Sequence, residues 1–403
     1  MERVLILNAS HNDERMIKAL KELNFYVIST GNKPELPGHR MCDEYYPADY
    51  SDKDAILEMA KVLRIDRICA CCNDFGVITA AYVAEKLSLP GYDTYDTTMI
   101  LHNKDLFKKF AREHDIDTPI AEQFLDANEA RMYAKNAKYP IIVKAVDLSA
   151  GNGIRKAENY DEAISAIENA FAFSRIKHIV IEPYIKGSQH GFSSFLINKK
   201  VVGFCSNDEY SFVNPYRVEI DTFPASDEAM VAGRIITQIE KMADILNLVD
   251  GCFHLQYITD EDGHPHIIEC MRRIAGGLYT IPAESVSGIN WDYWEVRAKC
   301  TDSLMDFPMF RHQNRGFFSY KCIMAPENGI IEQITIADEV LKHRYGEWWL
   351  LHVGDMVDNY MSTPISYIFT SYGSMEEMKR TLVDCYLDSR VEMASGMTGS
   401  ETL

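Results

Sequence analysis

The chain has 403 residues, which is more than one ordinary hydrophobic core accommodates and indicates two or three domains. Hydrophobic residues make up 47% and charged residues 25%, as is typical of globular proteins. The 60 Asp and Glu outnumber the 41 Lys and Arg, so the formal net charge is −19. Since phosphate-mediated nucleic-acid binding depends on Lys and Arg, we expect no nucleic-acid partner.

The N-terminus and the cysteines bear on location. "MERVLILNAS" enters an apolar run without a basic leader, and no apolar run approaches the length of a membrane span, so we expect no membrane association. Ten scattered cysteines fit a reducing cytoplasm. Cys69, Cys71 and Cys72 crowd together, but no second Cys or His pair lies nearby, so the interior of a buried strand is favoured over a metal site.

The N-terminal part of the chain alternates strand and helix patterns, as an open doubly wound parallel sheet requires. The predicted strands are "RVLILN", "FYVIST" and "RICACC", and the predicted helices are "DERMIKALKELN", "DKDAILEMAKVLR" and "GVITAAYVAEKLS". The loop after the first strand, "NASHNDE", lacks G-x-G-x-x-G. This absence disfavours a nicotinamide-dependent oxidoreductase.

Beyond this part the pattern becomes a mixture of helices and antiparallel strands. The helical "NKDLFKKFAREHDI" precedes the strand "YPIIVKAV", a glycine-containing loop and the helix "YDEAISAIENAFAFS". Several strands, the long helix "SDEAMVAGRIITQIEKMADILN" and the strand pair "CFHLQYITDEDGHPHIIEC" follow. The remaining chain, from about Arg315, contains strands and one predicted helix, "SMEEMKRTLVDCYLDS".

The strand pair carries the first candidate site. In a hairpin, Gln256 and Glu269 can point to the same face and form an oxygen-rich pair. Mg²⁺ prefers oxygen ligands and is usually held by one or two protein groups together with substrate phosphates. Arg272 and Arg273 follow directly, and guanidinium groups bind phosphate or carboxylate in a bidentate manner. The alternative is an edge hairpin with a surface salt-bridge cluster.

The upstream residues favour phosphate chemistry. Lys144 closes an apolar strand, where an unpaired ammonium group is costly. Gly151, Asn152 and Gly153 then offer a loop whose backbone can approach phosphate closely. The order of lysine, glycine loop, "IVIEPYI" and hairpin is more specific than any one of these motifs.

Together these motifs resemble the ATP-grasp superfamily, in the branch that includes biotin carboxylase, carbamoyl phosphate synthetase and many carboxylate–amine ligases. The resemblance covers nearly the whole chain and implies a combined α/β and α+β fold. It implies an N-terminal doubly wound domain at residues 1–100, an ATP-grasp domain at 101–310 and a C-terminal small α+β domain at 311–403. Within the ATP-grasp domain, a lid covers about 118–186 and the catalytic part about 187–310.

The resemblance also implies an ATP site. The residues that match its ATP-binding positions are Lys104, Lys144, Gly151, Gly153, Glu182, Tyr184, Ile185 and Gln189. The lysines and the glycine loop would contact phosphates. Glu182 would accept a hydrogen bond from the adenine amino group, and Gln189 lies near the ribose position.

The family's metal motif is only partly present. Where the family reads Glu-x-Asn-x-Arg, Glu269 and Arg273 are retained and Met271 replaces the asparagine. Gln256 stands where a second metal-binding carboxylate is usual. The resemblance implies that Glu269 and Gln256 hold Mg²⁺, with Mn²⁺ as a substitute, and that Arg273 and Arg272 neutralise an acylphosphate. The number of metal ions is left open.

The activity implied by the resemblance is ATP-dependent ligation of a carboxylate to an amine through an acylphosphate. The substrates would be an amino acid or a small biosynthetic carboxylate, with Arg217 and Tyr279 as candidate substrate-binding residues. One alternative is a carboxylase-like enzyme that activates bicarbonate. Another is a nucleotide-binding regulator without turnover, which Met271 and Gln256 favour. A homodimer is expected from related enzymes.

Overall fold

The structure is a computed structural model of the chain and describes residues 1–147, 153–215, 217–308 and 315–394. Its N-terminal elements are β1 (Arg3–Leu7), α1 (Glu14–Glu22), β2 (Tyr26–Gly31), β3 (Glu44–Pro47), α2 (Lys53–Leu63), β4 (Arg67–Cys69) and α3 (Asp74–Leu87). The four strands form one parallel sheet in the order β3-β2-β1-β4. This is the predicted doubly wound sheet, with β3 as an additional edge strand.

A second set of elements follows. Two helices, α4 (Tyr95–His102) and α5 (Lys104–Glu113), lead into β5 (Glu122–Phe124), α6 (Ala127–Ala134), β6 (Ile141–Ala145), β7 (Ile154–Ala157), α7 (Tyr160–Phe173) and β8 (Ile179–Pro183). The four strands pair antiparallel in the order β5-β8-β6-β7. Alanine-rich faces of α6 and α7 pack on the apolar side of β6 and β8. We refer to this unit as the lid sheet.

The rest of the chain builds a larger antiparallel sheet. Its elements are β9 (Gly187–Ile197), β10 (Lys200–Tyr210), β11 (Ile220–Phe223), α8 (Glu228–Ile245), β12 (Gly251–Asp260), β13 (Pro265–Met271), α9 (Thr280–Ser287), α10 (Trp291–Cys300), β14 (Phe317–Met324), β15 (Gly329–Thr335), α11 (Asp338–Lys342), β16 (Arg344–Trp349), β17 (Met356–Val357), β18 (Pro364–Tyr372), α12 (Met375–Lys379) and β19 (Arg390–Met393). Eight strands join in the order β13-β12-β9-β10-β11-β14-β18-β16. A small sheet has the order β17-β15-β19.

Apolar runs explain how these layers pack. The β1 residues Val4–Leu7 are fully buried, because α1 and α10 cover one face of the parallel sheet and α2 and α3 cover the other. On the large sheet, α5 and α8 pack against the apolar face of β9 and β12. The opposite face of the large sheet turns toward α9 and the N-terminal unit. The candidate site lies on this second face.

The combined α/β and α+β architecture predicted from the sequence is confirmed. The predicted domain boundaries at 100 and 310 stay predictions, and the strands on either side of residue 310 share the eight-stranded sheet. Among the described residues, no helix combines the length and apolar character that a membrane span requires.

A buried ion pair ties the segment before α4 to the end of β13. The Arg272 guanidinium donates from Nε to Asp93 at 2.7 Å, and the Val249 amide donates to the same carboxylate at 2.8 Å. Arg272 is 2% exposed and Asp93 is 6% exposed. Removing one partner would leave an uncompensated buried charge, which is strongly destabilising.

We therefore expect Asp93→Ala to lower the free energy of unfolding by about 3–5 kcal/mol. The matched control is Asp302→Ala, since Asp302 pairs with Arg67 at 3.1 Å but its side chain is 82% exposed. That change should cost less than about 1 kcal/mol. Urea denaturation of both variants measures the difference, and equal losses would contradict the assigned role of the buried pair.

Candidate active site

The pairing of β12 with β13 sets the geometry of the site. Gln256 lies directly opposite Glu269, and His254 lies opposite Met271. Because side chains alternate along a strand, all four point to the face that turns toward the N-terminal unit. The register thus places Gln256 and Glu269 on one face, in agreement with the sequence pattern. Met271 is 8% exposed, so its thioether is buried beside Glu269 on this face.

A second acidic residue, Glu209 of β10, joins this pair. The Gln256 amide donates from Nε2 to both oxygens of Glu209, at 2.9 and 2.7 Å. Gln189 donates to the same carboxylate at 2.9 Å. Burial raises the pKa of Glu209 to about 7, and the charge of Glu269 contributes in the same direction. Sequence analysis missed Glu209, because only the pairing of distant strands brings it here.

Lysines of α5 and the lid sheet form the opposite wall. The Lys144 ammonium pairs with one oxygen of Glu182, and Lys108 Nζ lies 3.2 Å from the other. Lys108 also donates to Thr118 at 2.6 Å. Glu182 and Lys108 are 2% and 6% exposed. Sequence analysis missed Lys108, although it lies one helical turn after Lys104 in "NKDLFKKF".

If both lysines were protonated, they would carry more positive charge than their shared partner Glu182 balances. Burial lowers the pKa of Lys108 to about 7. Burial, and then the charges of Lys108 and Lys104, lower the pKa of Lys144 well below its ordinary value. Glu269 acts in the opposite direction on both Lys108 and Lys144, so the lysines lie within electrostatic reach of the β13 carboxylate. An anion placed between them would relieve the excess charge.

The hinge residues lead from β8 into β9. The Tyr184 amide donates to the Pro140 carbonyl at 3.1 Å, and Lys156 Nζ lies 3.9 Å from the Tyr184 ring centroid. Tyr184 and Ile185 are half-buried. The predicted contact between Glu182 and adenine stays a prediction, since its carboxylate is committed to the two lysines in this structure.

The glycine loop is described only at its end. Gly151 lies outside the described residues, as does Asn152. Gly153 has a φ of +70°, and its carbonyl accepts from the Ala145 amide at 3.2 Å. A left-handed backbone at this position favours glycine.

The two adjacent arginines have different environments. Arg273 donates from Nε to Asp74 at 2.8 Å, and Asp74 also contacts His102 Nδ1 at 3.1 Å. Asp74 is the first residue of α3, so Arg273 connects the hairpin to the carboxyl edge of the parallel sheet. Its position near Glu269 fits the predicted role toward a reacting anion.

Arg272 requires a correction. Besides Asp93, its guanidinium donates to the carbonyls of Val249 and Cys252, at 2.6 and 2.5 Å. The side chain is buried on the far side of the strand end, and its donors are used inside the fold. Arg272 therefore has a structural role, in place of the contact with an acylphosphate that the sequence led us to expect.

The candidate substrate residues lie further along the same face. The Tyr279 hydroxyl donates to Asn207 Oδ1 at 3.0 Å, and Asn207 donates to Asp221 at 2.6 Å. Arg217 donates to the Ser362 carbonyl. Burial, and then the Arg217 charge, lower the pKa of His11 to about 4, which indicates that Arg217 lies near the loop after β1.

The opposite face of the large sheet carries a second polar group. His190, Asp208 and Asp227 bring possible metal-ligand atoms within 4.8 Å of one another. His190 Nδ1 lies 2.9 Å from Asp208, Lys379 Nζ lies 2.9 Å from the same carboxylate, and Tyr257 donates to Asp227 at 2.9 Å. These side chains are already paired with one another, and the Lys379 ammonium provides the positive charge next to Asp208. We therefore assign His190, Asp208 and Asp227 a structural role in the sheet.

The chain is similar to known proteins in one segment of its sequence and in its overall fold. Residues 102–214 match the model of the phosphoribosylglycinamide synthetase ATP-grasp (A) domain. An L-amino acid ligase from Bacillus licheniformis has a TM-score of 0.81 at 18% identity, with 98% of this chain and 99% of that chain covered. Residues 102–214 are thus similar to an ATP-grasp domain.

Further relatives extend the comparison. Phosphoribosylamine–glycine ligase from Vibrio vulnificus is 25% identical over 211 residues, which are 48% of this chain and 48% of that protein. The match thus spans about half the length of that curated relative. It spans 26% of the length of phosphoribosylamine–glycine ligase from Ralstonia nicotianae. The biotin carboxylase domain of Hydrogenobacter thermophilus 2-oxoglutarate carboxylase, solved with MgADP and bicarbonate, has a TM-score of 0.75 at 19% identity, covering 97% of this chain and 90% of that chain. At such identity the solved structures show the fold alone.

The lowered pKa of Lys108 makes stability depend on pH. Between about 7 and the ordinary lysine pKa of 10.5, the unfolded chain binds a proton at Lys108 that the folded protein does not. The free energy of unfolding should therefore rise with pH in this window. In Lys108→Met this slope should fall by up to about 1.4 kcal/mol per pH unit, measured by urea denaturation across the window.

The matched control is Lys109→Met, which changes an exposed lysine on the same helix. It should keep the wild-type dependence on pH. A Lys108→Met variant whose slope equals that of the wild type would contradict the burial of an uncharged Lys108.

Proposed function

We propose that the protein is an ATP-dependent ligase that joins a carboxylate to an amine through an acylphosphate. The observation that carries the proposal is the pair of facing walls, one with Lys108 and Lys144 and the other with Gln256 and Glu269. Polyphosphate suits the first wall and a hard cation suits the second. The names of the relatives, a phosphoribosylamine–glycine ligase and an L-amino acid ligase, support the same reaction class.

The donor set fits a divalent cation. Glu269, the Gln256 carbonyl oxygen and the nearby Glu209 offer oxygen ligands only, which Mg²⁺ and Mn²⁺ prefer. When bound, such an ion neutralises phosphate charge during phosphoryl transfer. The chain's own residues hold and orient the nucleotide, with Lys144 and Lys104 directed at phosphate oxygens. ATP and the cation are therefore the proposed cofactors.

Two steps complete the proposed reaction. The substrate carboxylate attacks the γ-phosphorus of ATP, which releases ADP and leaves an acylphosphate. The amine then attacks the acyl carbon and expels inorganic phosphate, with loss of one amine proton to solvent. Arg273, fixed by Asp74, stabilises the negative charge that develops on the acyl oxygen. This chemistry depends on positioning and charge neutralisation and needs no protein nucleophile.

We propose an amino acid or small biosynthetic carboxylate as substrate, bound between Tyr279 and Arg217. Support comes from their position on the face that carries Glu269, beside the loop after β1. A guanidinium near buried aromatic residues is suited to a carboxylate.

Ten free cysteines among the described residues support a cytoplasmic location. A homodimer remains part of this proposal, since a biotin carboxylase domain of the same fold is a dimer.

The carboxylase-like alternative is favoured by one observation. The biotin carboxylase domain of similar fold was solved with bicarbonate. The regulator alternative rests on the neutral Gln256 and on Met271. It is weakened by Glu209, which brings a carboxylate into contact with Gln256.

The decisive experiment measures ADP release from ATP and Mg²⁺ with amino acids and small carboxylates, offered singly and in pairs. A particular pair should release ADP and give a product whose mass equals the sum of both substrates minus water. Dependence on added bicarbonate would support the carboxylase-like alternative instead.

Glu269→Ala should abolish ADP release while circular dichroism stays unchanged, and full activity of this variant would contradict the metal role.

Nucleotide affinity tests the lysine wall independently of turnover. Lys144→Met should weaken ATP binding by about 1.5–3 kcal/mol, because it removes a charge-assisted contact to phosphate. Lys186→Met is the matched control, since this hinge lysine has a side chain that is 77% exposed and pairs with Glu261. Isothermal titration should find a large loss only for Lys144→Met, and equal affinities would argue against the proposed phosphate contact.

A further inference from the structure

Gln256 is a neutral amide, so the candidate cation site has a carboxylate on β13 but none opposite it on β12. The structure offers a carboxylate close by. Both oxygens of Glu209 accept from Gln256 Nε2, at 2.9 and 2.7 Å. This contact fixes the amide with its nitrogen toward Glu209, so its carbonyl oxygen points away from that carboxylate.

Glycine in the intervening strand makes this contact feasible. β9 lies between β10 and β12, and Gly191 is paired with Asn207 on one side and with Gln256 on the other. A Cβ atom at residue 191 would lie 2.5 Å from Asn207 Oδ1 and 3.0 Å from Glu209 Oε1. Any larger residue would displace these side chains. A glycine inside a strand weakens the strand, so a close approach of this kind explains its presence.

The surroundings of Glu209 favour an added cation. The residue is only 9% exposed, and its hydrogen bonds come from the neutral amides of Gln256 and Gln189. Among the described residues, no ammonium or guanidinium group forms an ion pair with it. A buried carboxylate without a positive partner is costly, and a divalent ion at the Gln256–Glu269 pair would compensate it.

We propose that Glu209 is part of the cation site and supplies the negative charge that β12 lacks. It acts at the ion from the neighbouring position on the sheet face and orients the Gln256 amide so that its oxygen is available as a ligand. This inference rests on the proposed function, since it requires a cation beside Glu269.

Binding of Mn²⁺ tests the inference without turnover. The probe is Mn²⁺ added to the 403-residue protein saturated with a nonhydrolysable ATP analogue, with free ion quantified by electron paramagnetic resonance. Glu209→Gln should weaken Mn²⁺ binding by about 10- to 100-fold, the range found when groups supporting metal ligands are removed. The double variant Glu209→Gln with Gln256→Glu returns the charge to β12 and should restore most of the affinity.

The matched control is Glu240→Gln, which removes one acidic charge at a surface pair with Lys200 and should leave Mn²⁺ binding unchanged. Unchanged binding in Glu209→Gln would overturn the inference. A loss that Gln256→Glu does not restore would also overturn it, because Glu209 would then act through local packing. If the wild-type protein binds ATP analogue but no Mn²⁺, the metal site of the proposed function itself fails. Thermal denaturation of each variant confirms that it is folded.

Discussion

The antiparallel pairing of β10, β9, β12 and β13 is the constraint on which the site depends. Side chains alternate between the two faces, so one register places Gln256 and Glu269 together and brings Glu209 to them across Gly191. The same register sends His190 and Asp208 to the opposite face, where they pair with each other. A shift by one residue would exchange these two sets, and burial on both faces makes such a shift costly.

The sequence was sufficient for features that depend on local patterns. The parallel N-terminal sheet, the long helix α8 and the β12–β13 hairpin all follow from apolar periodicity and turn residues. The short edge strand β3, with its half-buried and exposed residues, carries no such pattern and was missed. The predicted single helix near the C-terminus is also shorter in the structure, because α12 ends at Lys379 and a π-helical turn follows.

The site shows where sequence reasoning ends. Residues adjacent in the sequence, such as Arg272 and Arg273, have the same chemistry but different neighbours, and only the fold separates a structural guanidinium from one near Glu269. Glu209 and Lys108 could not be assigned because their partners are distant in sequence and lie on other elements. Strand pairing and helix packing, which bring such residues together, are tertiary properties.

The charges of the two walls complement each other. Lys108 and Lys144 share Glu182 on the lid side, and burial lowers the pKa of both lysines; on the sheet side, burial raises the pKa of Glu209 beside Glu269. Among the described residues, each wall therefore holds groups whose charged forms lack a full complement of partners of opposite charge. Direct contact of the walls would neutralise both but would close the space between them. A polyphosphate with its divalent cation would neutralise both walls while holding them apart, because the lysines would hold phosphate oxygens and the carboxylates would hold the cation. In the proposed complex with ATP, this distribution of charge would orient the nucleotide with its phosphates toward the lid sheet and the cation toward β13.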